Sequence, residues 1–369
     1  LHSEGTPSCR PSIIAYRSML AVCSDNSSEV ASLLERMSAI YESNVVDDLH
    51  EHKGTSSVEF NEVIELWSEV DDRSKAAEWA ETMLLRIANG VYETSSRCIA
   101  SSRILRTKNF NATIKAWLEA GNILRAENIL EEMERLGRHH MLEDIKPDHL
   151  SFHLIMKKWS DSKDGNRVEL LLDRMASAGL SPSRKTYMFV LDAHNKSPGG
   201  ISKAEKVLKQ LEEKRQDHFG SKKGVRPNTK MANTILQAWS QSSTKTKAIR
   251  AYSLLRWMKH ESSNGNYYLN PNFSSYVAVM ISCVRSTRDS TAEEKKRNFD
   301  ILREVFEEVA RHPSIRLANI NLRIMMRGCE FLLPGGKERN HHSKAIFEHC
   351  KKSGKVDEKI FSSFLAAVD

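Results

Sequence analysis
The chain has 369 residues, 40% apolar and 28% charged, with a formal net charge of +7 and 9 Pro against 16 Gly. That mixture excludes a wholly disordered chain, and no apolar run approaches the roughly 20 residues that span a bilayer. A single core stops growing near about 250 residues, so the length calls for two domains or for an array that lengthens unit by unit. The basic surplus suits a polyanionic partner. Six cysteines (Cys9, Cys23, Cys98, Cys283, Cys329, Cys350) are scattered without a CxxC pair and read as small buried thiols of a reducing compartment. The chain begins at Leu1, so any targeting segment is expected outside it.

Along the chain one phrase recurs: Pro11-Ser12, Pro147-Asp148, Pro182-Ser183, Pro227-Asn228 and Pro271-Asn272. Proline breaks a helix, and the Ser, Asp or Asn behind it is an N-cap, so each phrase announces a new helix. Five residues after the proline come Tyr16, Phe152, Tyr187, Ala232 and Tyr276; twelve after it come Cys23, Trp159, His194, Trp239 and Cys283. Weaker copies show Phe60, Asn61 and Trp67, then Phe110, Asn111 and Trp117, then Leu322 to Cys329, with a last partial copy at Phe361. Matches held in register are an internal repeat. Units are expected to start near 13, 57, 107, 149, 184, 229, 273 and 319, with a partial unit from 358, as one array over 1–369.

A second helix follows each first one. In Ala126–Met133 the apolar residues Ala126, Ile129, Leu130 and Met133 fall on one helical face. Gly137 and Gly179 stand where a left-handed helix end is expected. Extra residues near 41–56, 87–106, 138–146, 215–226 and 259–270 are insertions, which a loop tolerates at little entropic cost. No stretch alternates with period 2. The expected fold is all-α, a right-handed α-solenoid of helix-turn-helix repeats. Trp67, Trp117, Trp159 and Trp239 are expected to pack between hairpins.

Phe110–Gly137 (FNATIKAWLEAGNILRAENILEEMERLG) and Arg174–Ser183 (RMASAGLSPS) resemble the pentatricopeptide repeat family. The resemblance implies an organellar protein, mitochondrial or plastid, that binds single-stranded RNA one base per repeat. It acts in transcript processing, stability or translation, with other RNA-processing or ribosomal proteins as further partners and no insertion into a membrane. It places the base readers after the first-helix aromatic and after the closing proline. Here these are Arg17 with Ser56, Asn61 with Arg106, Asn111 with Asp148, His153 with Ser183, Met188 with Asn228, Asn233 with Asn272, Val277 with Ala318, and Arg323 with Asp357. Asn111 with Asp148 resembles a uracil reader and Asn233 with Asn272 a pyrimidine reader. The family's phosphate-side cation is replaced by Asp25, Glu69, Glu119 and Asp161 in the first four units. Lys115, Lys157 and Lys158, with Lys108, Lys185 and Lys230, are the candidate phosphate contacts.

No catalytic residue, metal or cofactor is expected. Gly335-Gly336-Lys337 lacks the spacing of a phosphate loop, and His349 and Cys350 are adjacent on a helix and diverge. The alternative reading is a protein-binding scaffold of similar hairpins, although the Trp-x-x-Leu-Gly-x-x-Tyr signature of tetratricopeptide repeats is absent.

Overall fold
The computed structural model describes Arg36, Asn61, Ile64 and residues 73–93, 106–138, 145–217, 225–285, 290–352 and 354–368. The expectations for Arg17, Ser56, Trp67, Cys9, Cys23 and Cys98 lie outside these residues. Among the described residues every regular element is helical. The helices are α1 (Arg73–Glu93), α2 (Thr107–Glu119), α3 (Ile123–Leu136), α4 (His149–Asp161), α5 (Gly165–Ser177), α6 (Arg184–Lys196) and α7 (Ile201–Asp217). They continue with α8 (Thr229–Gln241), α9 (Lys247–Ser263), α10 (Phe273–Val284), α11 (Ala292–Arg311), α12 (Asn319–Leu332), α13 (Lys337–Lys352) and α14 (Glu358–Ala367). A single 3-10 turn, Tyr267–Leu269, stands before α10.

The chain divides into two compact units. One comprises the described residues up to Ser162 with Arg167–Ser181; the other comprises Lys163–Asn166 and Pro182 onward. In the first, α2 packs on α1, and α4 packs on both α2 and α3. In the second, α8 packs on α6 and α7, α10 on α8 and α9, α12 on α10 and α11, and α14 on α12 and α13. Within these units α4, α8, α10, α12 and α14 each bury one face against both helices of the hairpin before them, as stacked repeats require. A continuous core results, running from Leu191 to Ala367.

Two first-helix positions carry the packing. The fourth holds Phe110, Phe152, Ala232, Tyr276 and Leu322, all buried. The eleventh holds Trp117, Trp239, His194, Cys283 and Cys329, also buried. Burial pushes the Cys283 thiol up to about 12 and the Cys329 thiol up to about 11, which keeps both protonated and unreactive near neutral pH. His194 fits because its neighbours have no side chain. A Cβ on Gly165 would lie 2.3 Å from its ring, and one on Gly200 would lie 2.2 Å from its carbonyl oxygen.

Trp159 departs from the expected packing. It is only half-buried; its indole N–H donates to Glu127 at 3.1 Å and Arg167 lies over its ring at 5.5 Å. Glu127, itself buried, also accepts from Arg174 at 3.1 Å, so this tryptophan belongs to a polar network. Trp117 and Trp239 likewise carry Arg125 and Arg250 over their rings. Gly137 is the second departure: its φ is −66°, ordinary right-handed backbone. A Cβ there would stand 3.2 Å from Met133 O and 3.4 Å from Lys146 Cα, so close approach favours the glycine. Gly179, at φ 77°, does close its helix left-handed. Leu180 N–H bonds Met175 O and Gly179 N–H bonds Ala176 O, the double bond of a Schellman end.

Trp239→Ala is expected to cost about 3–5 kcal/mol, as large core truncations do, while Trp159→Ala costs clearly less; denaturant unfolding of the two variants checks the order. Gly200→Ala is expected to cost about 1–3 kcal/mol, because the added methyl meets backbone that cannot turn aside.

Candidate nucleic-acid interface
The starts of the first helices are capped, and those of α4, α6 and α10 by reciprocal hydrogen bonds. Asp148, Ser183, Asn228 and Asn272 accept from the backbone N–H three residues on: Ser151, Thr186, Met231 and Ser275. The third residue often answers. Ser151, Thr186 and Ser275 side chains accept from the cap N–H at 3.1, 3.0 and 3.1 Å. Where the cap is Arg106 or Ala318, with no acceptor of its own, Asn109 and Asn321 still bond the cap N–H at 3.0 Å. This is a capping box with Ser, Thr or Asn in the place usual for Glu or Gln.

A second device ties each start to the next. The first residue of α2, Thr107, donates to Lys146 O at 2.8 Å, just ahead of Pro147. The first residue of α4, His149, contacts Ser181 O through Nε2 at 3.0 Å, just ahead of Pro182. Thr229, first in α8, donates to Asn270 O at 2.7 Å, just ahead of Pro271. The Thr107 and Thr229 latches hold the following proline and its cap residue against the helix that carries the threonine. The device was invisible as a motif, since a Thr or His behind a cap carries no signal by itself.

The latch brings the fifth residue of one first helix to the cap of the next. Asn111 Nδ2 donates to Asp148 Oδ1 at 3.2 Å. Asn233 Nδ2 donates to Asn272 Oδ1 at 3.0 Å, and Asn233 Oδ1 accepts from Ser275 Oγ at 2.6 Å. Asn111 is buried and its Oδ1 has no hydrogen-bond partner. Asp148 meets Ser151 and Asn111 through the same Oδ1, and no hydrogen bond among the described residues reaches its Oδ2. Other positions differ. Met188 and Val277 pack on the core, so Met188 gives Asn228 no polar partner. His153 packs edge-on to His149 with ring centroids 6.1 Å apart. Asn61 accepts from Asn109 at 3.4 Å. In the last pair the contact falls on Asn319, which donates to Asp357 at 2.9 Å.

Asp357 titrates below the usual aspartate range. The Ile360 N–H is the largest cause, the Asn319 amide the next, with the Arg323 charge adding to them.

Several cations of second helices are paired: Arg174 with Glu127, Glu131 and Glu134, Arg125 with Glu81, Lys209 with Glu205, and Lys259 with Glu308. On first helices Lys115 meets Glu119 at 3.7 Å and Lys185 lies over Phe189. Lys108, Lys157, Lys158 and Lys230 make no ion pair among the described residues. No group of His, Cys, Asp and Glu able to hold a metal occurs among the described residues, and no described helix is long and apolar enough to cross a membrane.

Serial helical hairpins opened by capped first helices, three of them latched to the next hairpin, define an all-α repeat protein of the solenoid class. No family model matches the chain. A pentatricopeptide repeat-containing protein of Arabidopsis thaliana is 29% identical over 147 residues, 39% of this chain and 22% of its own length. A second from the same plant, named as mitochondrial, is 29% identical over 109 residues, 29% of this chain and 18% of its own length. The chain spans about a fifth of the length of these curated relatives. The crystal structure of the maize pentatricopeptide repeat protein PPR10 superposes with a TM-score of 0.58 at 15% identity, over 98% of this chain and 42% of that one. The chain is thus similar in part of its sequence to pentatricopeptide repeat proteins, and it shares the helical-repeat fold of a solved one.

Because the folded pKa of Asp357 lies below its unfolded value, its stabilising contribution is complete above the unfolded pKa and fades as pH falls through the folded one. Asn319→Ala is expected to raise the Asp357 midpoint toward the ordinary aspartate value, followed by NMR titration of the carboxyl carbon. An unmoved midpoint would assign the depression to the Ile360 N–H and Arg323 alone.

Proposed function
We propose that the array binds single-stranded RNA, taking bases at the paired fifth and cap residues of successive hairpins, without catalysis of its own. The observation that carries this reading is the repeated pair itself: Asn111 with Asp148 and Asn233 with Asn272 meet across a hairpin boundary with polar capacity left over. That capacity differs in sign. At Asp148, Oδ2 is an acceptor suited to the N3–H of uracil. At Asn272 the Nδ2 is a donor suited to N3 or O2 of cytosine, or to O2 of uracil. The surplus of +7 and the unpaired lysines of the first helices supply sequence-independent attraction to phosphate. The setting is a mitochondrion or chloroplast, in keeping with the name of one relative, and the role is in transcript processing, stability or translation. RNA-processing or ribosomal proteins are further partners.

A second reading, a protein-binding scaffold, is favoured by Met188 and Val277, which turn reader positions into core. Titration of labelled single-stranded oligonucleotides across a salt series separates the two. RNA binding must weaken steeply with salt as counterions are released, and no binding at low salt would sink the primary reading. Asn111→Ala is expected to relax preference for uracil at one position while lowering overall affinity only a few-fold; selection from a randomised RNA pool reads both quantities. The discrimination at stake is about 1–3 kcal/mol, by analogy with good bidentate base contacts.

A further inference from the structure
The insertion between α9 and α10 presents two tyrosines to solvent on a rigid support. Tyr267 is 80% exposed and Tyr268 60%, the most exposed large aromatics among the described residues. Yet the turn that carries them is anchored at every side. Leu269 is fully buried in the core. Asn266, also buried, donates to Glu212 at 2.7 Å and to Pro227 O at 3.3 Å. Thr229 donates to both Tyr268 O and Asn270 O. The α9 end is a left-handed glycine, Gly265, with Asn266 N–H bonded back to Glu261 O. Exposing two aromatic rings on a backbone this constrained yields nothing to folding, because neither ring buries its surface.

Besides the buried Glu212 that Asn266 holds, the segment latched to this turn carries two exposed cations. The latch residue Thr229 is followed directly by Lys230, exposed and without an ion pair among the described residues, and Arg226 is exposed just ahead of Pro227. Downstream, Asn272 lies four residues after Tyr268 and is the cap partner of Asn233. Aromatic rings beside cations, at the rim of a base-reading pair, are the arrangement that stacks single-stranded bases. Successive side chains of a 3-10 turn point about 120° apart, so the two rings offer separate faces.

We propose that Tyr267 and Tyr268 form an accessory stacking site for nucleobases of single-stranded RNA, outside the one-base-per-hairpin register and next to the Asn233–Asn272 position. The proposal rests on the RNA-binding reading above. The site is indifferent to base identity, since every base offers a π-face, and it adds affinity where the reader pair adds selectivity.

The test uses the full chain and a labelled single-stranded RNA taken from a randomised-pool selection. Tyr267→Ala with Tyr268→Ala is expected to weaken binding about 5- to 100-fold, in the range of one to two lost stacking contacts, with the salt slope and melting temperature unchanged. Tyr267→Phe with Tyr268→Phe should bind as the wild type does, because the rings remain. Ultraviolet crosslinking of the wild-type complex, read by mass spectrometry, should place RNA on residues 267–268. Wild-type affinity in the double alanine variant, with crosslinks elsewhere, overturns the stacking site while the reader pairs stand, and leaves the tyrosines to a protein partner. No RNA binding by the wild type overturns both readings together.

Discussion
The capping hydrogen bonds at the start of the first helices, reciprocal in α4, α6 and α10, set the geometry of everything after them. The cap side chain takes the N–H of the third residue, and the third side chain takes the N–H of the cap. Two orphan donors are satisfied at once, and the rotation of the helix about its axis is fixed at its first turn. From there the fourth residue falls into the core, the fifth toward the next cap, and the eleventh back into the core. The same oxygen that caps a helix, Oδ1 of Asp148 or Asn272, is the one that receives the amide of Asn111 or Asn233. Capping and the candidate reader pair are thus one hydrogen-bonding centre. A residue change at the cap would disturb helix entry and the contact with the preceding first helix together.

The eleventh position shows how the array tolerates unlike residues at one structural place. Each occupant comes with its own local accommodation. His194 sits against two glycines. Cys283 and Cys329 are small and held protonated by burial. Trp159 gives its N–H to Glu127 on the preceding second helix. The equivalent of Glu127 before Trp239 is Glu205, also buried, yet it pairs with Lys209, and both its Oε2 and the Trp239 Nε1 are left without partners. Before Trp117 the place is taken by Ala77, and that indole nitrogen is unpartnered too. A buried donor without an acceptor costs stability, and here the size of the indole in the core outweighs that cost.

The all-α repeat class was legible because proline and the residue behind it act locally: each forces a break and a cap within a few positions. The burial of Trp117 and Trp239 followed from phase alone. What escaped the sequence depends on distant partners. The half-exposed Trp159 answers to a carboxylate 32 positions earlier, and the Thr107 latch reaches a carbonyl 39 positions later. Gly137 looked like a left-handed helix end, yet what it needs is clearance from Lys146, which only the folded loop reveals. At the candidate site, the Asn111–Asp148 and Asn233–Asn272 contacts follow from the latch, whereas nothing local marked Asn319 as the partner of Asp357. Its placement reflects the absence of a proline before Asp357, which leaves the first residue of α12 to reach the cap side chain itself.

The distribution of charge follows from the same architecture. Second helices carry acids and bases on facing surfaces, so Arg174 is surrounded by Glu127, Glu131 and Glu134 and little of its charge reaches solvent. Exposed ion pairs of this kind add little stability, yet they cancel the field of the cations they hold. First helices bear fewer acids in reach, and Lys108, Lys157, Lys158 and Lys230 keep their charge unopposed. Other second helices, α9 and α13, keep a basic surplus of their own, so the positive field arises from first and second helices alike. Glu119 beside Lys115 subtracts from that field in the repeat unit that starts near 107, whereas Lys157, Lys158 and Lys230 have no such neighbour in an ion pair among the described residues.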